Sequence, residues 1–351
     1  MKISIIGAGN IGLTIYEMLS EKSTRMVPRD TSPSHDVQIG DMNDTDDRVQ
    51  KLDATKKSEL KKFLKGSDAV ISAAPFFLNK LIIDVAIELQ IAYFDLTEDT
   101  DITQYAKLNA KDAVVMPQCG LAPGAINIIA NGLAEQFKDL WSIKMKVGAL
   151  PVMAENEMKY YRTWSTAGVV NEYCNPCDVI IDGNPCQIPA MGNLDSVIID
   201  GDLYESFSTS GGVGTLTETY KGKVRHMSYE TLRYPGHCDK MKFLLNDLRF
   251  RDNREALVEI LDMHVPTTKD DVVVLHASVV GGAPTVPHGY RPYTRKIYAE
   301  NGMTAIQRTT ASGVCAIIEL FHKGDLPTGF VRQEQVSMDM FLATKHGQIF
   351  K

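Results

Sequence analysis

The first third of the chain switches repeatedly between two hydrophobic periods. Lys2 to Ile6 has the pattern of a short buried strand, with Ile3, Ile5 and Ile6 apolar. Ile11 to Leu19 then places Ile11, Ile15, Met18 and Leu19 at helical spacing. Asp36 to Asp41 alternates as a strand, and Gln50 to Asp53 reads as a short third one. Ser58 to Leu64 is an amphipathic helix with Leu60, Phe63 and Leu64 inward. Ala69 to Ala74 is a continuous apolar run, as strands of a parallel sheet are, and Pro75 ends it. A helix over 79–89, a strand over 91–96, a helix over 100–111 and a strand over 113–116 follow. This alternation predicts an α/β fold, a doubly wound parallel sheet of the Rossmann type.

From Ser142 the pattern changes. Residues 143–150 alternate with period two, which points to an antiparallel strand. Further strands are expected at 178–182, 196–199, 220–230, 272–280 and 299–308, among a few helices. Gly281 to Gly289 reads as a long loop, either an edge turn or a lid, and His288 within it is given no role. Gly313 to His322 is a late helix, so the chain is expected to return to its first domain. The predicted organisation is a nucleotide-binding domain made of 1–122 and 310–351. An α+β substrate-binding and dimerisation domain with a mainly antiparallel sheet occupies 123–309.

The turn between the first strand and first helix is Gly7-Ala8-Gly9-Asn10-Ile11-Gly12, which fits G-x-G-x-x-G. In this context the pattern is a dinucleotide site. Gly7 permits the tight turn, Gly9 lets a pyrophosphate approach the backbone, and Gly12 lets helix and strand pack closely. The phosphates would sit on the free N–H groups of the helix end, with Asn10 and Ile11 in its first turn. Such folds hold the adenosine ribose with an acid after the second strand. Asp30 lies at the usual distance, but Pro28 would remove a donor from a central strand. Asp41 ends an uninterrupted strand and is favoured, with 24–35 as an inserted loop. Either carboxylate repels a 2′-phosphate, so NAD is the expected cofactor, while Arg25 and Arg29 keep NADP open. Asp53 is expected near the adenine edge. Ala74 and Pro75 end the fourth strand on the same ligand-binding edge. The loop carrying Gly120, Ala122 and Pro123 is placed by the nicotinamide.

Composition narrows the partners. The chain has 351 residues, 44% hydrophobic and 23% charged, with a net charge of −7. No basic run suggests nucleic acid, and no apolar run approaches the roughly 20 residues of a membrane span. Met1 leads straight into a core strand, so no signal peptide is expected. Six cysteines are scattered, and the Cys174/Cys177 pair lacks the second pair of a zinc site. Free thiols in the cytoplasm and no metal are the expectation. Cys119 has no obvious adjacent base and is read as packing.

Three segments together resemble the saccharopine dehydrogenase family, in its lysine 6-dehydrogenase branch. They are Gly7 to Gly12, Cys119-Gly120-Leu121-Ala122-Pro123-Gly124, and Glu230-Thr231-Leu232-Arg233-Tyr234-Pro235-Gly236-His237. Tyr161 to Ser165, Glu172-Tyr173 and Gly40 to Asn43 support the likeness, which spans essentially the whole chain. The resemblance implies a Rossmann domain, a substrate domain with a homodimer interface, and a carboxyl-terminal return. It also implies nicotinamide-dependent oxidation or reduction of a carbon–nitrogen bond in an amino acid. The chain departs from the lysine dehydrogenases at Gln118, where they usually carry aspartate, and at Thr166, where they usually carry proline.

Amine oxidation needs a held carboxylate, an aligned hydride and a base for water attack. Arg233 is the candidate clamp, because a guanidinium fork fits a carboxylate bidentately. His237, four residues on, is the candidate base. Glu218 is a candidate holder of the substrate ammonium, and Tyr161 and Trp164 would sandwich an aliphatic stem. The leading expectation is oxidative deamination of the distal amine of a lysine-like amino acid. The alternatives are an NADPH-linked reductase that condenses an amine with an aldehyde acid, and a dinucleotide-binding sensor without turnover.

Overall fold

Ile3, Ile5 and Ile6 are fully enclosed in β1 (Lys2–Ile6). Both faces of this strand are covered, so its pattern is a run rather than an alternation. The computed structural model describes residues 1–20, 35–43, 46–283 and 286–351, without the side chains of 283 and 286–288. The chain divides into two compact units, Met1–Ala125 with Thr309–Lys351, and Ile126–Arg308.

In the first unit β1 leads to α1 (Asn10–Ser20), β2 (Asp36–Asp41), β3 (Val49–Lys51), α2 (Lys57–Leu64) and β4 (Ala69–Ser72). Then come α3 (Asn79–Leu89), β5 (Ala92–Asp95), α4 (Thr100–Asn109) and β6 (Val115–Met116). Among the described residues these six strands form one sheet in the order β3-β2-β1-β4-β5-β6. Every pairing is parallel. The winding direction reverses between β1 and β4, which opens a crevice at their carboxyl ends. Asp30, Arg25 and Arg29 lie outside the described residues.

The second unit contains most of α5 (Ala125–Ala134), then β7 (Asp139–Pro151), α6 (Thr166–Cys174), β8 (Cys177–Ile181) and β9 (Asn184–Ile188). It continues with β10 (Asp195–Ile199), β11 (Asp202–Ser208), α7 (Leu216–Tyr220), β12 (Val224–Arg233) and α8 (His237–Lys242). It ends with α9 (Arg254–His264), β13 (Asp271–Ala283) and β14 (Val286–Tyr298). The sheet runs β10-β11-β12-β7-β13-β14, with the β8–β9 hairpin attached to β12. It is antiparallel except where β12 lies parallel to β7. Thus the α/β class with a mainly antiparallel second sheet holds. No helix among the described residues is long and apolar enough to cross a membrane.

Three elements differ from their sequence expectation. The described residues of 281–289 are strand rather than loop, because β13 and β14 stay paired out to Ala283 and Val286, an arrangement that fits the edge turn and not the lid. Gly281 and Gly289 face each other in that ladder, and Cβ atoms there would lie 2.7 and 2.5 Å from the Phe137 ring. Those glycines serve a close ring contact. The strand expected at 220–230 is preceded by α7 and starts only at Val224, after Gly222 turns with φ +72°. The strand expected at 299–308 is instead a turn followed by α10 (Ala305–Lys323). Thr304 and Gln307 exchange side-chain and backbone hydrogen bonds at its start, a capping box that overrides the β-rich composition.

From Thr309 onward α10 belongs to the first unit. A Cβ on Gly313 would sit 2.4 Å from the Gly120 carbonyl oxygen, so helix and loop backbones touch. After it, Phe330 bridges Val115 in parallel, and α11 (Met338–Ala343) follows.

Candidate active site

The glycine loop of the first unit divides its work. Gly7 has φ +100°, and a Cβ on it would lie 2.6 Å from the Ala73 carbonyl oxygen at the β4 exit. A Cβ on Gly12 would lie 1.9 Å from the Gly7 carbonyl oxygen. A Cβ on Gly9 would meet nothing within 4 Å. Two glycines therefore pack the turn against Ala73 and Ala74, and the third borders open space at the amino end of α1. That end has no acidic residue in its first turn, and its leading N–H groups have no partner inside the helix. The cradle suits the pyrophosphate of a dinucleotide.

Asp41 ends β2 beside this loop. Its carboxylate accepts from the Ala8 N–H at 2.7 Å and the Asn43 N–H at 2.9 Å. It therefore ties the glycine loop to the sheet and keeps lone pairs for a ribose hydroxyl. Asp53, just beyond β3, is engaged otherwise. It accepts from the Thr55 N–H and hydroxyl and pairs with Lys56, and these contacts, led by the Thr55 hydroxyl, hold its carboxyl below the usual range.

The loop after β6 is fastened to the same edge. Fully buried Asp95, at the end of β5, accepts from Tyr93 Oη, Asn79 Nδ2 and the N–H groups of Thr97 and Gln118. Burial pushes its carboxyl up to about 6. The Ala125 N–H closes the loop onto the Gly120 carbonyl at 2.9 Å, across a cis Ala122–Pro123 peptide. Buried Cys119 donates to the Met116 carbonyl, and burial raises its thiol well above the usual range. A protonated, enclosed thiol agrees with packing.

In the second unit the notable side chain is Arg233, only 2% exposed at the end of β12. Its Nε donates to Tyr173 Oη at 2.8 Å, and Nη1 reaches the Leu232 carbonyl at 3.0 Å and the Ala149 carbonyl at 3.5 Å. The rings of Tyr160 and Tyr173 flank the guanidinium at 5.7 and 5.9 Å. Among the described residues no carboxylate pairs with it. The Tyr160 hydroxyl is buried and also lacks a hydrogen-bond partner among the described residues.

His237 stands behind this group rather than in front of it. It is fully enclosed, with Nδ1 2.9 Å from the Met158 carbonyl and Nε2 3.1 Å from Tyr173 Oη. A carbonyl only accepts, so Nδ1 carries the proton and Nε2 accepts from Tyr173. The tyrosine oxygen in turn accepts from Arg233. Burial, with the Arg233 charge second, pushes the imidazole down to about 3. Both ring nitrogens are thus committed and the ring is enclosed, an arrangement that suits support of Tyr173 better than proton transfer with water.

Other candidates fall apart spatially. Glu218 is exposed on α7, which leads into the end of β12 opposite to Arg233. Tyr161 is half-buried, and the Trp164 ring lies over Gly168 of α6, where a Cβ would meet it at 2.3 Å. The aromatic pair at Arg233 is Tyr160 and Tyr173, which the sequence reading missed. Tyr160 lies in an irregular segment, where no periodicity tells which of two adjacent tyrosines turns inward.

Known proteins share this architecture. The model of the saccharopine dehydrogenase NADP binding domain matches residues 3–118, and that of the saccharopine dehydrogenase C-terminal domain matches residues 120–344. The mitochondrial alpha-aminoadipic semialdehyde synthase of Rattus norvegicus is 19% identical over 249 residues, covering 67% of this chain and 27% of that protein. Its Mus musculus counterpart is 18% identical, covering 65% and 27%. The chain thus spans about a quarter of these curated relatives' length. The apo saccharopine dehydrogenase (L-Glu forming) from Saccharomyces cerevisiae superposes with a TM-score of 0.77 at 16% identity, covering 97% of this chain and 96% of that one.

Proposed function

The chain belongs to the saccharopine dehydrogenase family, and from that premise we propose that it oxidises or reduces a carbon–nitrogen bond in an amino acid with a nicotinamide dinucleotide. The observation that carries the substrate class is Arg233. A buried guanidinium with no carboxylate in direct contact among the described residues, and only the charge of buried Glu172 nearby, leaves room for a bound anion as its direct partner. An amino acid supplies one as its α-carboxylate, which the uncommitted edge of the guanidinium takes while Tyr160 offers its hydroxyl. The Met158–His237–Tyr173 chain fixes the guanidinium plane from behind, so His237 is a positioning residue.

In the first unit the N–H groups at the start of α1 hold the pyrophosphate, and Asp41 takes the ribose hydroxyls. A carboxylate in that place repels a 2′-phosphate, which favours NAD; the matched family description names NADP. Once bound, the cofactor would supply a hydride acceptor.

We favour the oxidative direction on a lysine-like substrate. The carbon bearing the distal amine loses a hydride, the nitrogen loses a proton, water adds to the iminium, and ammonia departs. The product aldehyde of lysine then cyclises onto the α-amine. The second reading is reductive joining of an amine with an aldehyde acid, and the name of the yeast structural neighbour favours it. An assay of NAD and NADP reduction across lysine, ornithine and saccharopine, with the reverse reaction run on amine plus aldehyde acid, separates the two. Arg233→Met should lower kcat/KM about 100-fold or more, chiefly through KM. An unchanged kcat/KM would remove Arg233 from the site.

A further inference from the structure

Gln118 takes no part in the amine chemistry proposed for Arg233 and its neighbours. It follows β6 on the carboxyl edge of the parallel sheet, with φ 63°, a backbone conformation glutamine rarely adopts. Its main chain is pinned on both sides. The N–H donates to Asp95 Oδ1 at 2.9 Å, and the carbonyl accepts from Gln333 Nε2 at 3.0 Å. Gln333 also holds the Pro117 carbonyl at 2.8 Å, and the Cys119 N–H donates to the Asp95 carbonyl at 2.8 Å. The side chain is treated differently. It is 1% exposed, and its Oε1 is buried with no hydrogen-bond partner among the described residues. The unpaired atom is the amide oxygen, which leaves an acceptor position unfilled.

A buried amide oxygen left unpaired on a main chain held this firmly calls for a partner from outside the chain. The position limits which ligand. β6 stands three strands from β1, about 14 Å along the edge at ordinary strand spacing. A dinucleotide whose pyrophosphate rests on the glycine loop extends along this edge, with its nicotinamide toward the later strands. The ring's carboxamide presents one N–H2 and one carbonyl, the complement of a glutamine amide.

We propose that Gln118 pairs with the nicotinamide carboxamide and so fixes which face of the ring receives hydride. This rests on the dinucleotide reading of the first unit. The test is equilibrium binding, followed by fluorescence, of NADH, its acetylpyridine analogue and ADP-ribose to wild type and Gln118→Leu. The analogue carries a methyl where the carboxamide has N–H2. Wild type should bind NADH about tenfold more tightly than the analogue, the difference of roughly one hydrogen bond. Gln118→Leu should lose that preference, weaken NADH about tenfold and leave ADP-ribose within twofold. If NADH and ADP-ribose weaken equally, Gln118 only shapes the loop, and the assignment is overturned. If NADH binding is unchanged in the variant, it is overturned as well. If ADP-ribose and NADH both fail to bind wild type, the dinucleotide reading itself falls, and the assignment with it. Should Gln118→Leu fail to fold, Gln118→Met, close in shape and without strong hydrogen-bonding groups, replaces it; the same NADH-specific loss is expected, and equal loss of ADP-ribose again overturns the proposal.

Discussion

Replacing Gly9 with alanine isolates the nucleotide site from the fold. The added methyl would meet no protein atom within 4 Å, and the residue is not in the left-handed region. Stability should therefore change by no more than about 0.5 kcal/mol, and alanine's smaller unfolded-state entropy pushes toward a gain. The methyl would instead occupy the space over the end of α1, where the pyrophosphate must come within hydrogen-bond distance of the backbone. Losing one to two charge-assisted hydrogen bonds costs roughly 2–4 kcal/mol, or about 30- to 1,000-fold in cofactor Kd. Gly12→Ala is the opposing control. Its methyl would sit 1.9 Å from the Gly7 carbonyl oxygen, so α1 or the loop must move by more than an ångström. Overpacking of that kind costs about 1–3 kcal/mol or more. Urea unfolding and NADH titration on both variants give four numbers. Gly9→Ala should keep its urea midpoint and lose binding, whereas Gly12→Ala should lose both. If Gly9→Ala binds NADH like wild type, the pyrophosphate does not rest on this loop.

Two buried titrating groups give predictions of opposite sign. Asp95 is raised from 3.8 to about 6, so the unfolded chain loses this proton first. Its contribution to stability is full below pH 4 and lost as pH rises through about 6, with a ceiling of about 3 kcal/mol. Asp95→Asn should flatten that part of the urea-midpoint profile, and an unchanged slope would refute the burial argument. His237 is lowered from 6.5 to about 3, so the unfolded chain takes the proton first as pH falls. Its contribution is present above pH 6.5 and declines toward pH 3, by a few kcal/mol. His237→Gln should reduce this acid sensitivity, and it should raise KM for the amino acid if the ring steadies Tyr173 and Arg233.

The parallel sheet was legible because its strands are buried on both faces. Ile3, Ile5 and Ile6, and Val70 and Ile71, leave no exposed position to confuse the pattern. Strand β2 could be placed because Asp36 to Asp41 alternates and carries no proline. The second unit was less open to reading. The parallel alignment of β12 with β7 joins residues more than 80 positions apart, and nothing local encodes it. At 299–308 the β-rich composition concealed the Thr304/Gln307 pair, a helix-start signal present in the sequence itself. The site shows the sharpest limit. Arg233 and His237 could be singled out by type and spacing, but the enclosure of the histidine, which favours a supporting role, could not. The choice between Tyr160 and Tyr161 rests on a tertiary contact with Arg233.

The return of the chain to its first unit has a consequence for the order of synthesis. Residues Met1–Ala125 leave the ribosome without α10 and without the Phe330 segment that borders β6. At about 5–20 residues per second, some 10–40 s pass while Ile126–Arg308 is made. During that interval Val115 has no neighbour on its outer side, and Gln118 lacks the Gln333 amide that later holds its carbonyl. The unit whose first strands are made early is therefore completed only after the other, and its β6 edge stays open until residues 309–351 arrive.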